Sequence, residues 1–251
     1  MRLVDAHTHI YPAQHGQAIE LAEQGLWQFV AATHPDDCAR VLDLARVSQR
    51  IIPTCGLHPW RVADFEPRAL KLKGVLEQVP IIGEIGLDTV WTEVPLAMQR
   101  EAFVYQLQLA VALGKPVILH TKGAEAEELQ WLRSYTPPKI MVHWYSGDAV
   151  HLAGYVDLGC YFTLGPDIQV NQTVQMVCQQ VPLDRLLTET DGTEAIAWVT
   201  GEPCSLAAAP LVLESTLATA AAFRGLTPAQ MQDAVYDNSL AFLSDCKGLL
   251  R

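Results

Sequence analysis

Leu3-Val4-Asp5-Ala6-His7-Thr8-His9 is a short apolar run that closes on two imidazoles. Residues two apart on a β-strand point to the same face, so His7 and His9 are placed to meet one metal ion from the end of one strand. Imidazole suits ions of the zinc, iron, nickel and manganese type better than calcium. A lone His-x-His is also a frequent surface pattern, so its meaning depends on how the other apolar runs end.

Eight such runs recur, at 3–6, 27–32, 51–55, 80–85, 116–119, 139–142, 161–164 and 186–188. Near-continuous apolar runs are what strands buried on both faces require. Helical stretches separate them, for example at 36–49, 70–78, 98–113 and 124–134. In the third, Ala102, Phe103, Leu107, Ala110 and Leu113 fall at three- and four-residue steps and make an apolar stripe. Gly114 and Pro116 then end that helix. Alternating β and α with right-handed crossovers gives a parallel sheet. Eight units in a 251-residue chain predict an α/β fold of the (β/α)8 TIM-barrel type, one domain spanning 1–251. The competing arrangement, an open doubly wound sheet, lacks its G-x-G-x-x-G turn here.

In a barrel of this kind the chemistry lies at the C-terminal strand ends. In order these ends carry His7 and His9; Thr33 and His34; Gly56-Leu57-His58-Pro59; Glu84 through Asp88; His120-Thr121-Lys122; His143-Trp144-Tyr145-Ser146; Gly165-Pro166; and Glu189-Thr190-Asp191-Gly192. Buried imidazoles and carboxylates are costly unless paired or bound to metal. Any one of them reads as a satisfied core residue, but strand ends one, four, five, six and eight together read as a metal site. Around it, Asp5 is placed to orient the His pair or to bond nearby backbone, Asp88 to hydrogen-bond a ligand, and His34 to line the mouth or start the next helix. His15 and His151 read as surface residues. Ser146 has no triad partner to spare.

Composition narrows the partners. The net charge is −11, from 17 basic and 28 acidic residues, with no Lys/Arg cluster. A protein that grips long nucleic acid shows a basic stripe, so bulk electrostatics oppose extended polyanion binding, although a metal centre supplies local positive charge. The six cysteines are scattered without a C-x-x-C and read as reduced core residues. No uninterrupted apolar run reaches the ~18 residues of a membrane helix, and the first residues carry an acid and a His pair where a signal peptide is apolar. The chain reads as cytoplasmic, with no membrane partner.

Eight segments together resemble the TatD family of metal-dependent deoxyribonucleases, within the amidohydrolase-like barrels. They are DAHTHI (5–10), GLHPW (56–60), IIGEIGLD (81–88), QREAFVYQLQLA (99–110), KPVILHTK (115–122), VHWYSG (142–147), LLTETDG (186–192) and YDNSLAFL (236–243). The resemblance implies a centre of two divalent ions, zinc, manganese or magnesium. His7, His9 and Asp191 hold one ion, His120 and His143 the other, and Glu84 bridges them. It implies phosphodiester cleavage by metal-bound hydroxide, with Asp191 as general base and then acid. It also implies DNA ends or single-stranded DNA as substrate, and His58, Lys122, Trp144 and Ser146, on neighbouring loops, are placed to touch it. Three departures bear on this. Lys122 stands where the family has Arg, a point charge in place of a planar fork. Trp144-Tyr145 replaces Cys-Phe. The loop at 192–203 is short and holds no basic residue, with Trp198 at its centre. The bare loop and the acidic charge favour an alternative, a two-metal hydrolase of a small amide, cyclic amide or ester. A non-catalytic scaffold is a third reading, and the complete ligand set argues against it.

Overall fold

In the structure, a computed structural model describing residues 1–64 and 69–244, every run expected to be a strand is one. The strands are β1 (Val4–Thr8), β2 (Trp27–Ala32), β3 (Ile51–Cys55), β4 (Ile81–Asp88), β5 (Val117–Lys122), β6 (Ile140–His143), β7 (Tyr161–Leu164) and β8 (Leu186–Thr188). They form one eight-stranded sheet in sequential order, each parallel to the next. Between them run α1 (His15–Glu23), α2 (Pro35–Ala45), α3 (Ala69–Leu76), α4 (Leu96–Leu113), α5 (Glu125–Ser134), α6 (Ala149–Asp157) and α7 (Gln172–Gln180). After β8 come α8 (Gly192–Thr200), α9 (Ala209–Arg224) and α10 (Pro228–Leu243). This is the (β/α)8 barrel. Its seam between β8 and β1 is held by Thr188 Oγ1 donating to Val4 O and Asp191 N–H donating to His7 O, both at 3.1 Å.

Two apolar layers result. Side chains pointing inward, Val4, Phe29, Ile52, Ile81, Ile118, Met141 and Leu187, fill the barrel, and Phe242 of α10 packs into the same cluster. Those pointing outward meet the helices. Asn238 fastens α10 to the start of β8, donating to Leu183 O at 2.7 Å and Leu186 O at 2.9 Å. The stretch Leu206–Arg224 is long and apolar enough, by length and composition alone, to cross a membrane. Here Ala209, Leu213, Leu217, Ala220 and Ala221 are buried, so its hydropathy belongs to the core.

Two strands slip register where they carry chemistry. Three residues of β1 span two of β2 between Asp5 and Thr8, and three of β4 span two of β5 between Ile82 and Ile85. Such bulges re-aim side chains, and His7 and Glu84 lie inside them. The loop expected at 192–203 is a correction: residues 192–200 are helical. Asp191 and Gly192 turn the chain with φ of 55° and 86°. Glu194, Ala195 and Ala197 favour a helix, and Gly201, at φ 77°, closes it. Helix α2 also ends at Ala45, earlier than the expected 49. Of the cysteines, Cys38, Cys55, Cys160 and Cys178 are buried free thiols, Cys204 is free and half-buried, and Cys246 lies outside the described residues.

Candidate metal centre

The carboxyl ends of the strands open into a cavity of about 720 Å³ whose lining includes His9, Glu84, His120, His143 and Asp191. Glu84 stands at its centre, and its two oxygens face different groups. Oε2 lies 3.4 Å from His7 Nε2 and 3.6 Å from His9 Nε2. Oε1 lies 2.8 Å from His120 Nδ1 and 2.6 Å from His143 Nε2. Asp191 Oδ1 closes the first group, 3.5 Å from His7 Nε2 and 3.3 Å from His9 Nε2. All six residues expected as ligands therefore converge on one site.

The donor atoms suit a divalent cation. Both ring nitrogens of His7, Nδ1 of His143 and Oδ1 of Asp191 are buried and make no hydrogen bond among the described residues. Buried polar atoms of this kind call for a partner. Burial opposes the charge on Glu84, but the imidazoles of His143, His58 and His120 overcome it and hold the carboxyl well below the ordinary range. Burial likewise opposes charge on His9, and the neighbouring Asp191 and Glu84 carboxylates raise it to about 10. A bound cation would take the place of those protons, since metal ligation requires deprotonated donors.

Behind these groups lies a set of orienting contacts. His120 stands between two carboxylates, Nε2 at 2.8 Å from Asp88 Oδ2 and Nδ1 at 2.8 Å from Glu84 Oε1; with Asp88 holding Nε2–H, Nδ1 would be the atom left to meet a cation. His143 Nδ1 faces Glu189 Oε2 at 3.6 Å, and Glu189 is fully buried. Asp88 is fixed in turn: Trp60 Nε1–H donates to it, as do the backbone N–H groups of Val90 and Trp91. Helix α4 clamps two loops with glutamines seven residues apart. Gln99 bonds both the N–H and the C=O of Asp88, and Gln106 does the same for Leu57. Glu128 of α5 accepts the Leu87 N–H at 2.6 Å.

Asp5 takes the second of its two expected roles. Among the described residues it makes no hydrogen bond to His7 or His9 and accepts from Thr190 N–H at 2.9 Å and Thr190 Oγ1–H at 2.6 Å, and so anchors the turn that presents Asp191. His34 is the helix start, its Nδ1 accepting the Asp36 N–H. His58 lies 3.2 Å from Glu84 Oε1, within the range of the ligand candidates. Its Nδ1 accepts the Trp60 N–H, however, and burial pushes it down to about 4. The neutral ring therefore carries its proton on Nε2 and donates to Glu84 rather than offering a lone pair. Lys122 Nζ donates to Ser146 Oγ at 2.8 Å, so those two form one unit. Trp144, at φ 36°, is held by its backbone N–H to Thr163 Oγ1 and its indole N–H to Asp167 Oδ2. Sequence reasoning missed Glu189, Gln99 and Gln106 as supports, and Trp60 and Trp91 as parts of the site. Two glutamines on the buried stripe of α4 were the available signal.

A family described as TatD-related DNase matches residues 4–244. Among similar proteins is the uncharacterized metal-dependent hydrolase YcfH of Escherichia coli, 30% identical over 205 residues that cover 76% of this chain and 77% of YcfH. The putative deoxyribonuclease TATDN3 of Mus musculus is 25% identical, covering 99% of this chain and 90% of its own. Among solved structures, YjjV of E. coli, a TatD homologue, superposes with a TM-score of 0.84 at 27% identity, covering 96% of this chain and 97% of YjjV.

Proposed function

The chain belongs to the TatD family of metal-dependent hydrolases, and from that premise we propose that it cleaves phosphodiester bonds at the ends of single-stranded DNA. The observation that carries this is the division of Glu84, one oxygen toward the His7–His9 side and the other toward the His120–His143 side. His7, His9 and Asp191 would hold one divalent ion, His120 and His143 a second, and Glu84 would bridge them. When bound, such a pair supplies positive charge to the phosphoryl oxygens and lowers the pKa of the attacking water. Asp191 would accept a proton from the attacking water and return it to the leaving oxygen. The imidazoles around Glu84 keep it ionised, and neutral His58 donates to it. Lys122, set by Ser146, meets a phosphate oxygen as a point charge. The deoxyribonuclease name of TATDN3 supports this substrate class.

A second reading has its own support: α8, directly beside Asp191, carries no basic residue. It is hydrolysis of a small amide, cyclic amide or ester, with the same centre polarising a carbonyl. Labelled single-stranded DNA incubated with metal-quantified protein and added zinc, manganese or magnesium separates the two. Cleavage that is lost in Asp191→Ala supports the nuclease. Stoichiometric metal without cleavage moves the function to the small substrate.

A further inference from the structure

Three indoles from three separate segments meet at the mouth of the metal centre. Trp198 of α8 lies edge-to-face against Trp91, from the loop after β4, with ring centroids 6.4 Å apart, and against Trp144, after β6, at 6.2 Å. All three line the same cavity as Glu84, His120, His143 and Asp191. Trp91 is 56% exposed and Trp198 66%. Scattered exposed hydrophobics are ordinary, but a cluster rimming a polar site marks a binding surface. Trp144 is the fixed member: Asp167 holds its indole N–H, and Gly165 gives it room, since a Cβ there would stand 3.2 Å from Trp144 Cε2. Its left-handed backbone is an uncommon conformation for a bulky residue, the kind of strain that gathers at functional sites. Lys122 Nζ lies 5.5 Å from the centre of the Trp91 ring while bonded to Ser146, which puts one positive charge at the foot of the wall.

We propose that Trp91, Trp144 and Trp198 form a stacking subsite for a nucleobase of the strand being cleaved, with Lys122 against the phosphate next to it. The inference rests on the phosphodiesterase reading and names what that site recognises. A nucleobase is a flat π-surface joined to its phosphate by a short linker, which matches an exposed indole face, braced edge-to-face by its neighbour, with one cation beside it. Stacking tolerates any base. The subsite accounts for how this chain retains a strand end although α8 supplies no cation.

The test uses metal-loaded protein and a cleavage-resistant phosphorothioate oligothymidylate, followed by quenching of tryptophan fluorescence, beside the same backbone with abasic residues. Stacking of about 1–3 kcal/mol per base corresponds to roughly 5- to 150-fold tighter binding of the base-bearing strand. We expect that preference in the wild type and its loss in Trp91→Ala/Trp198→Ala, two exposed positions that leave the core intact. Equal binding of the two strands, or a preference that survives in the double variant, overturns the subsite. Ordinary phosphodiester strands, assayed for cleavage, separate the two claims. Cleavage with no preference for bases keeps the nuclease and removes the wall. Base-dependent binding with no cleavage keeps the wall and removes the nuclease. Neither binding nor cleavage removes both.

Discussion

Glu84 is the residue most exposed to test, because both halves of the proposed centre depend on it. Its side chain is 3% exposed, and its neighbours are the imidazoles of His7, His9, His58, His120 and His143. Glu84→Ala is expected to abolish hydrolysis and to weaken metal binding by more than the about 10–100-fold typical of losing a ligand's outer partner. The far-UV circular dichroism should be unchanged, since Glu84 adds no apolar contact to either layer of the barrel. Normal turnover by a folded Glu84→Ala protein would sink the bridging role. His7, His120 and His143 were readable because each follows directly on an apolar run and strand geometry aims what comes next, while His9 shares the face of His7, Glu84 lies within its run and Asp191 stands three residues past β8. His58 was harder to place. It stands three residues beyond the end of β3, where only the clamp of Gln106 on Leu57 and the Trp60 N–H set its direction. Glu189 was quoted with the strand-eight end, but nothing in one dimension puts it behind His143.

Helices decide how firmly those ends are held. Gln106 satisfies both backbone groups of buried Leu57, at 2.7 and 3.1 Å, and leaving a buried polar group unpaired costs about 1–3 kcal/mol. Gln106→Ala should therefore lower stability by a few kcal/mol in urea unfolding and shift the pH dependence of KM through His58. Glu128 tests the opposite case. Burial pushes its carboxyl well above the ordinary range, despite the Leu87 N–H and the Tyr155 hydroxyl that bond it. The folded state thus keeps the proton that the unfolded chain releases from about pH 4.5. Its stability term is intact below that pH and is lost progressively as pH rises toward the folded pKa. Glu128→Gln keeps an acceptor for Leu87 and gives a donor to Tyr155, without the ionisation. Its stability relative to wild type should grow with pH above about 4.5 by up to about 1.4 kcal/mol per unit, measured by urea unfolding at pH 5, 6 and 7. A difference independent of pH would mean that Glu128 is ionised in the fold. At this scale the strands were legible, since buried parallel strands announce themselves as apolar runs. Helix α8 was not: it is nine residues long and starts from a left-handed Asp191, and no spacing rule marks such a start.

Across the molecule, packing and chemistry occupy opposite ends of one barrel. Phe242 of α10 packs 6.3 Å from Phe29 and 5.3 Å from Tyr161, ring centre to ring centre, and closes the end away from the metal site. The barrel's eightfold alternation, and with it the expectation of closure, could be counted from the chain, but the contacts that make the β8–β1 seam, Thr188 and the turn around Thr190 and Asp191, could not. Charge has the same two-ended character. The chain carries −11 overall, and among the described residues the cations lining the cavity are Arg40, Arg61 and Lys122. A protein that tracked a long backbone would need a stripe of them. Binding that neutralises at most three phosphates of a single strand gives a log–log salt slope of about −0.7 per phosphate, so no steeper than about −2. The affinity of the phosphorothioate strand, measured between 50 and 200 mM salt as set by the same principle, should follow that shallow line. Most of its free energy then comes from the metal centre and the indoles, terms that salt screens little. A slope steeper than about −4 would require a basic track elsewhere on the surface and would make this a binder of long strands rather than of strand ends.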